Sequence, residues 1–210
     1  MLSKFLRSAS ANKGAILEYI GFSEAVNLNG STVTCDVPTG AIAGDLLIGV
    51  STQTGSSTVY AMTPPSGWTE LLDAQAIWVG YLPAWDGTTS SYDFVKSNAL
   101  ADPAVAVYAF RNATFDVLGT PSALSTSPVA PSITLTESGS IVLATYRAVT
   151  QTTTTYSTPT DFTSINNGSG TYALSSFIKE GVASGATGTV SSTPSPSINS
   201  RGFLIGIKQT

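Results

Sequence analysis

The chain contains the same stretch twice. Gly44-Asp45 opens an apolar run, LLIGV, followed by a polar loop and a proline turn, Pro65-Ser66-Gly67-Trp68-Thr69. Further on, Gly139-Ser140 opens SIVLATYRA, a Thr-rich loop follows, and Pro159-Thr160-Asp161-Phe162-Thr163 stands in the place of that turn. Each copy ends on an aliphatic run, AVAVYAFRN at 104–112 and GFLIGIKQT at 202–210. The offsets are 95 from Asp45 to Ser140, 94 from Trp68 to Phe162 and 98 from Ala104 to Gly202, a drift that short loop insertions produce. A structural unit written twice limits the folds open to the chain, because the two copies must adopt related shapes.

Those copies read as strands. Val, Ile, Thr and aromatic residues fill the apolar runs, and Gly, Pro, Asn and Ser separate them. Long stretches of helix-forming residues are missing. Ser and Thr make up more than a quarter of the chain, while only 10% of residues are charged, against the usual ~25%. Polarity therefore comes from hydroxyls. At 210 residues the length suits one large all-β domain, with a core that needs no metal or disulfide.

In chain order, AILEYIGF (15–22) and STVTCDV (31–37) read as a pair joined at Asn27 to Gly30. LLIGV is a strand buried on both faces. Residues 69–85 form one or two strands with Trp78 and Tyr81 inside. YDFVKS alternates Tyr92, Phe94 and Lys96 against Val95. Residues 113–131, with three prolines, read as a connector. SITLT (132–136) corresponds to STVTCDV, and Asn166-Asn167-Gly168 signals a hairpin. Two units, each too small to close its own core, are expected to pack face to face. The expected fold is thus an all-β, jelly-roll-like β-sandwich built from two pseudo-repeats, about 30–112 and 130–210, in a single domain over 15–210. Trp68 and Phe162 are expected as equivalent core plugs, with a ligand-stacking role as the alternative.

Residues 1–14 differ from the rest. Lys4, Arg7 and Lys13 are basic and no acid accompanies them, whereas the remaining chain holds six basic and thirteen acidic residues. Leu2, Phe5 and Leu6 share one face of a short helix, too short to be stable alone. The segment is expected to be an arm that docks on a neighbouring subunit or an acidic surface, with a disordered tail as the alternative. With two or three apolar residues it has little affinity for a membrane.

The chemistry of the sequence is sparse. It has no histidine, which removes the commonest general base and any Ser-His-Asp triad. Cys35 is the only cysteine, so no intrachain disulfide forms, and it reads as a small core residue. No cofactor or metal is expected. Asp45 reads as the cap of a turn, and Asp86-Gly87 lacks the acidic density of a calcium loop. Glu70 with Asp73 or Asp93 is the one carboxylate combination that a glycoside hydrolase could use, and their spacing lends it no support. A net charge of −4 argues against nucleic acid as a partner. No apolar run approaches the ~18 residues of a membrane span.

Pro38, Gly40, Gly44, Asp45 and Leu47, then Pro65, Gly67 and Trp68, then Phe110-Arg111-Asn112 form an ordered set. In these residues the chain resembles a β-sandwich module common in tailed-bacteriophage structural proteins. The resemblance covers roughly residues 30–210 and implies a virion component without a catalytic residue. The expected role is a capsid decoration or cement protein on the head surface. Its expected partners are the major capsid protein and further copies of itself in a trimer. The alternative is a tail-associated adhesin that binds a host surface glycan through Trp85 and Tyr156. A polysaccharide-cleaving enzyme is a third, weaker reading.

Overall fold

The computed structural model describes residues 15–27, 30–53, 61–97, 103–149, 153–167 and 174–210. Among them there is no helix. The first half holds β1 (Glu18–Val26), β2 (Thr32–Asp36), β3 (Leu46–Thr52), β4 (Met62–Thr63), β5 (Thr69–Ala74), β6 (Ile77–Leu82), β7 (Ser91–Lys96) and β8 (Ala104–Arg111). The second holds β9 (Ala113–Leu118), β10 (Val129–Ala130), β11 (Thr134–Leu135), β12 (Ser140–Ala148), β13 (Thr155–Tyr156), β14 (Thr163–Asn167) and β15 (Leu174–Val182). It continues with β16 (Gly185–Ala186), β17 (Val190–Ser191), β18 (Pro194–Ser195) and β19 (Ser200–Gln209).

The duplication is complete at the level of topology. One five-stranded antiparallel sheet runs β1-β8-β3-β6-β5, and the other runs β9-β19-β12-β15-β14, the same order one repeat later. Beside the first lies a three-stranded sheet, β2-β7-β4. Beside the second the matching sheet is split into the short ladders β10–β17, β11–β16 and β13–β18. Prolines and serines there interrupt the pairing, since proline has no N–H to donate to a ladder.

Each half therefore closes a core of its own, contrary to the expectation that neither could. Strand alternation explains how. Along β3, Leu47 points into the first sandwich with Val33, Cys35, Trp68, Trp78, Phe94 and Val107. Along β12, Val142, Ala144 and Tyr146 point into the second with Leu135, Tyr156, Phe177 and Leu204. The intervening residues face the other way and build a third core between the two large sheets. Leu46, Ile48, Val50, Tyr108 and Phe110 meet Ile141, Leu143, Ile178, Phe203 and Ile205 there. Both large sheets are thus buried on both faces, which is why their central strands are continuously apolar. At ~1.5–3 kcal/mol for each large side chain buried, this shared layer holds the halves together as one body.

The halves meet by a local two-fold relation. Tyr19 of β1 shares a groove with Ile165 of β14 and Ile178 of β15. Leu71 and Leu72 of β5 share another with Leu118 of β9, and Tyr81 stacks on Phe115 at 5.2 Å. Since β1 corresponds to β9 and β14 to β5, each half sets the same edges against the other.

Two expected pairings are corrected. Residues 15–22 and 31–37 are not a hairpin, because β1 pairs with β8 and β2 pairs with β7. β1 and β2 therefore lie in different sheets. Residues 113–118, expected as part of a connector, form β9 on the edge of the second sheet. The second unit therefore begins at residue 113, directly after Asn112. That asparagine turns the chain with φ 54°, a left-handed conformation that asparagine tolerates. The β14–β15 pairing agrees with the expected hairpin, whose turn at 168–173 lies outside the described residues.

Candidate functional site

Gly40, Gly44, Asp45 and Arg111 converge on one clamp. Gly40 and Gly44 both adopt φ 93°, which folds the approach to β3 into a tight turn. That turn brings Asp45 under Arg111 at the end of β8. Asp45 is buried and accepts hydrogen bonds from the Ile42 N–H at 2.8 Å, Arg111 Nε at 3.2 Å and Arg111 Nη2 at 3.1 Å. Arg111 Nη2 also donates to the Gly40 carbonyl at 2.9 Å. The Asp45 carboxylate raises the Arg111 pKa further. The arrangement is a structural latch that ties the entry of β3 to the end of β8.

Five further carboxylates are engaged in a similar way. Glu70 accepts the indole N–H of Trp78 at 3.0 Å, and Asp73 accepts the Met62 N–H at 3.1 Å. Burial pushes the Asp73 carboxyl up from its ordinary value. Asp93 accepts the Thr34 hydroxyl at 2.6 Å. Asp86 accepts the N–H groups of Thr88 and Thr89 at 2.7 and 2.8 Å and the Thr89 hydroxyl at 2.6 Å, which holds its pKa well down. Asp116 accepts the Thr136 N–H and hydroxyl and lies 3.8 Å from Lys208 Nζ. No group of three metal-ligating side chains occurs among the described residues.

The expected glycan contacts divide. Tyr156 is only 3% exposed. Its ring stacks on Tyr146 at 5.6 Å and its hydroxyl donates to Ser200 at 2.8 Å. It offers no face to a sugar, which corrects its expected role as a glycan contact. Trp85 is half-buried against the first core, with its indole N–H held by the Thr89 carbonyl at 2.9 Å. Trp68 is 8% exposed and packs edge-on to Tyr92 and Phe94, as a core plug should. Phe162 holds the equivalent place in the second sandwich but is less enclosed.

The docking-arm residues Leu2, Lys4, Phe5, Leu6, Arg7 and Lys13 lie outside the described residues. Where the described chain begins, it runs along a groove of about 540 Å³ at the junction of the two halves. Ile16, Leu17 and Ile141 supply its apolar lining, and Glu18 and Glu180 its carboxylates. Ile16 is 68% exposed, unusual for isoleucine. The main chain here is tied to the end of the fold. Asn112 Nδ2 donates to the Ile16 carbonyl, and Gln209 Nε2 donates to the Ala15 carbonyl. In comparisons with protein-family models, curated proteins and solved structures, nothing matched this chain.

Proposed function

We propose that this protein is a non-enzymatic structural component of a phage virion. In this reading it is a decoration protein that binds the head shell through its N-terminal arm. The observation that supports it most is the groove at the junction of the sandwiches. It is apolar along its floor and carries Glu18 and Glu180, while the arm that begins beside it carries Leu2, Phe5 and Leu6 together with Lys4, Arg7 and Lys13. Arm and groove are complementary in apolar character and in charge. An arm lying in the groove of a neighbouring copy would link copies into an oligomer on the particle surface. The strand order of each half, with most connections crossing between the two sheets, agrees with jelly-roll winding. Such a body stabilises a shell by mass action, because contacts made only in the assembled state shift the equilibrium toward it.

The test is co-sedimentation of the purified chain with phage heads stripped of it. The full chain should saturate the heads, and a variant lacking residues 1–13 should fail to bind. Undiminished binding by the truncated chain would remove the arm from the account. Binding to tails and not heads would favour the adhesin reading, which now rests on Trp85.

A further inference from the structure

The two sandwiches act as controls for each other, so a place where they differ by coordinated replacements is informative. Thr69 pairs with Tyr81 and Thr163 with Ile178, which makes Leu82 and Lys179 equivalent positions. In the first sandwich Gly67 turns with φ 87° beside Leu82, 3.4 Å from where a β-carbon would stand. In the second, Asp161 keeps the left-handed conformation, φ 65°, and pairs with Lys179 at 3.2 Å. The second half thus has an aspartate and a lysine where the first has a glycine and a leucine. The left-handed conformation favours glycine over aspartate, and an exposed ion pair adds little stability. Stability does not account for the exchange.

The neighbouring aromatic differs as well. Trp68 is enclosed by Tyr92 and Phe94, whereas half-buried Phe162 borders a pocket of about 350 Å³. Pro159, Thr160, Thr187, Thr189, Val190 and Ser191 complete its wall, and Lys179 Nζ lies over the Phe162 ring, 6.0 Å from its centre. The pocket is at the lower end of the roughly 300–1,000 Å³ typical of small-molecule sites.

We propose that this pocket binds one pyranose unit of a neutral saccharide. A pyranose has an apolar C–H face and a rim of hydroxyls, and the pocket offers a partner for each. The Phe162 ring receives the face when the exposed Lys179 side chain swings off it. The Asp161 carboxylate accepts hydrogen bonds from hydroxyls, the Lys179 ammonium donates to them, and the Thr189 and Ser191 hydroxyls can do either. The aspartate and lysine cancel in charge, which disfavours phosphate and other anions. The proposal is independent of where on a particle the chain sits.

The test is an amide chemical-shift titration of the full chain with the methyl glycosides of glucose, galactose, mannose and N-acetylglucosamine. At least one should give saturable shifts at Asp161–Thr163, Lys179 and Thr189–Ser191. Tryptophan emission should stay constant, since Trp68, Trp78 and Trp85 all belong to the first sandwich. Asp161→Gly restores the residue of the first half, so it should fold at least as stably while losing affinity about tenfold. Phe162→Ala should abolish binding and Phe162→Tyr should retain it. The proposal is overturned if no glycoside shifts these amides, or if Asp161→Gly and Phe162→Ala bind like the parent. A change in tryptophan emission without shifts near Asp161 would also overturn it and place the sugar at Trp85.

Discussion

Tyr108 of the first sandwich and Ser176 of the second meet hydroxyl to hydroxyl at 2.6 Å, both buried in the layer that the halves share. The pair is one of several polar contacts that join the halves, with the buried Arg147 guanidinium donating to the Gln53 and Ala76 carbonyls as another. Removing either hydroxyl leaves the other without its partner in a dry environment. Tyr108→Phe and Ser176→Ala should each cost about 1–3 kcal/mol, and the double variant less than their sum. Urea unfolding of the four proteins measures this coupling. Additive costs would show that the hydroxyls do not depend on each other.

The latch between Asp45 and Arg111 should matter more than its counterpart in the second half. Asp45 serves both Arg111 and the Ile42 N–H, whereas the equivalent Ser140 hydroxyl donates only to the Glu137 carbonyl at 2.7 Å. Asp45→Ala should lower the melting temperature by about 4–8 °C, corresponding to ~2 kcal/mol. Ser140→Ala should lower it by about half as much. Thermal unfolding followed by circular dichroism compares them, and equal losses would contradict the ranking.

Gly49 on β3 faces the first core, where a β-carbon would stand 2.8 Å from the Trp68 ring and 3.1 Å from the Trp78 ring. Neither indole can move far, since Trp78 is anchored through its N–H by Glu70. Gly49→Ala should therefore destabilise the protein by about 1–3 kcal/mol, although alanine suits a strand better than glycine. Denaturant unfolding gives the sign directly, and a stabilised variant would show that the indoles can rearrange.

The pH dependence of stability should be alkaline. Burial pushes the Cys35 thiol from 9.0 up to about 12 and the Tyr19 phenol from 10.0 up to about 12. Tyr108, Tyr146 and Tyr156 are raised further, again chiefly by burial. Between those ordinary values and the folded ones, the unfolded chain has lost protons that the native chain still holds. Stability should accordingly fall as pH rises from about 9 to 12. Unfolding midpoints at a series of pH values measure the slope, and Cys35 should react with a thiol reagent only after denaturation. A flat profile together with a reactive native thiol would contradict the buried setting.

The duplication was legible because burial on both faces leaves a long apolar run, and LLIGV, SIVLATYRA, AVAVYAFRN and GFLIGIKQT all have one. The small sheets were harder to read. In the second half they are two-residue ladders, too short to carry alternation. Asn27 to Gly30 looked like a hairpin turn because turn residues mark a reversal, without saying which sheet receives the next strand. ATFDVL at 113–118 was hidden by the prolines that follow it. Tyr156 sits among threonines, and only its distant neighbour Tyr146 reveals that it is buried. The replacement of Gly67-Trp68 by Asp161-Phe162 was visible in the sequence as a departure from the repeat. Its significance depends on Lys179, whose match with Leu82 requires the strand register.

We propose this chain as a paired-sandwich building block of a virion shell. A cryo-EM reconstruction of the whole particle tests it most directly. The account predicts two back-to-back sandwiches per copy on the head lattice, with residues 1–13 reaching a neighbouring subunit. Density confined to the tail, or particles that lack the chain, would contradict it.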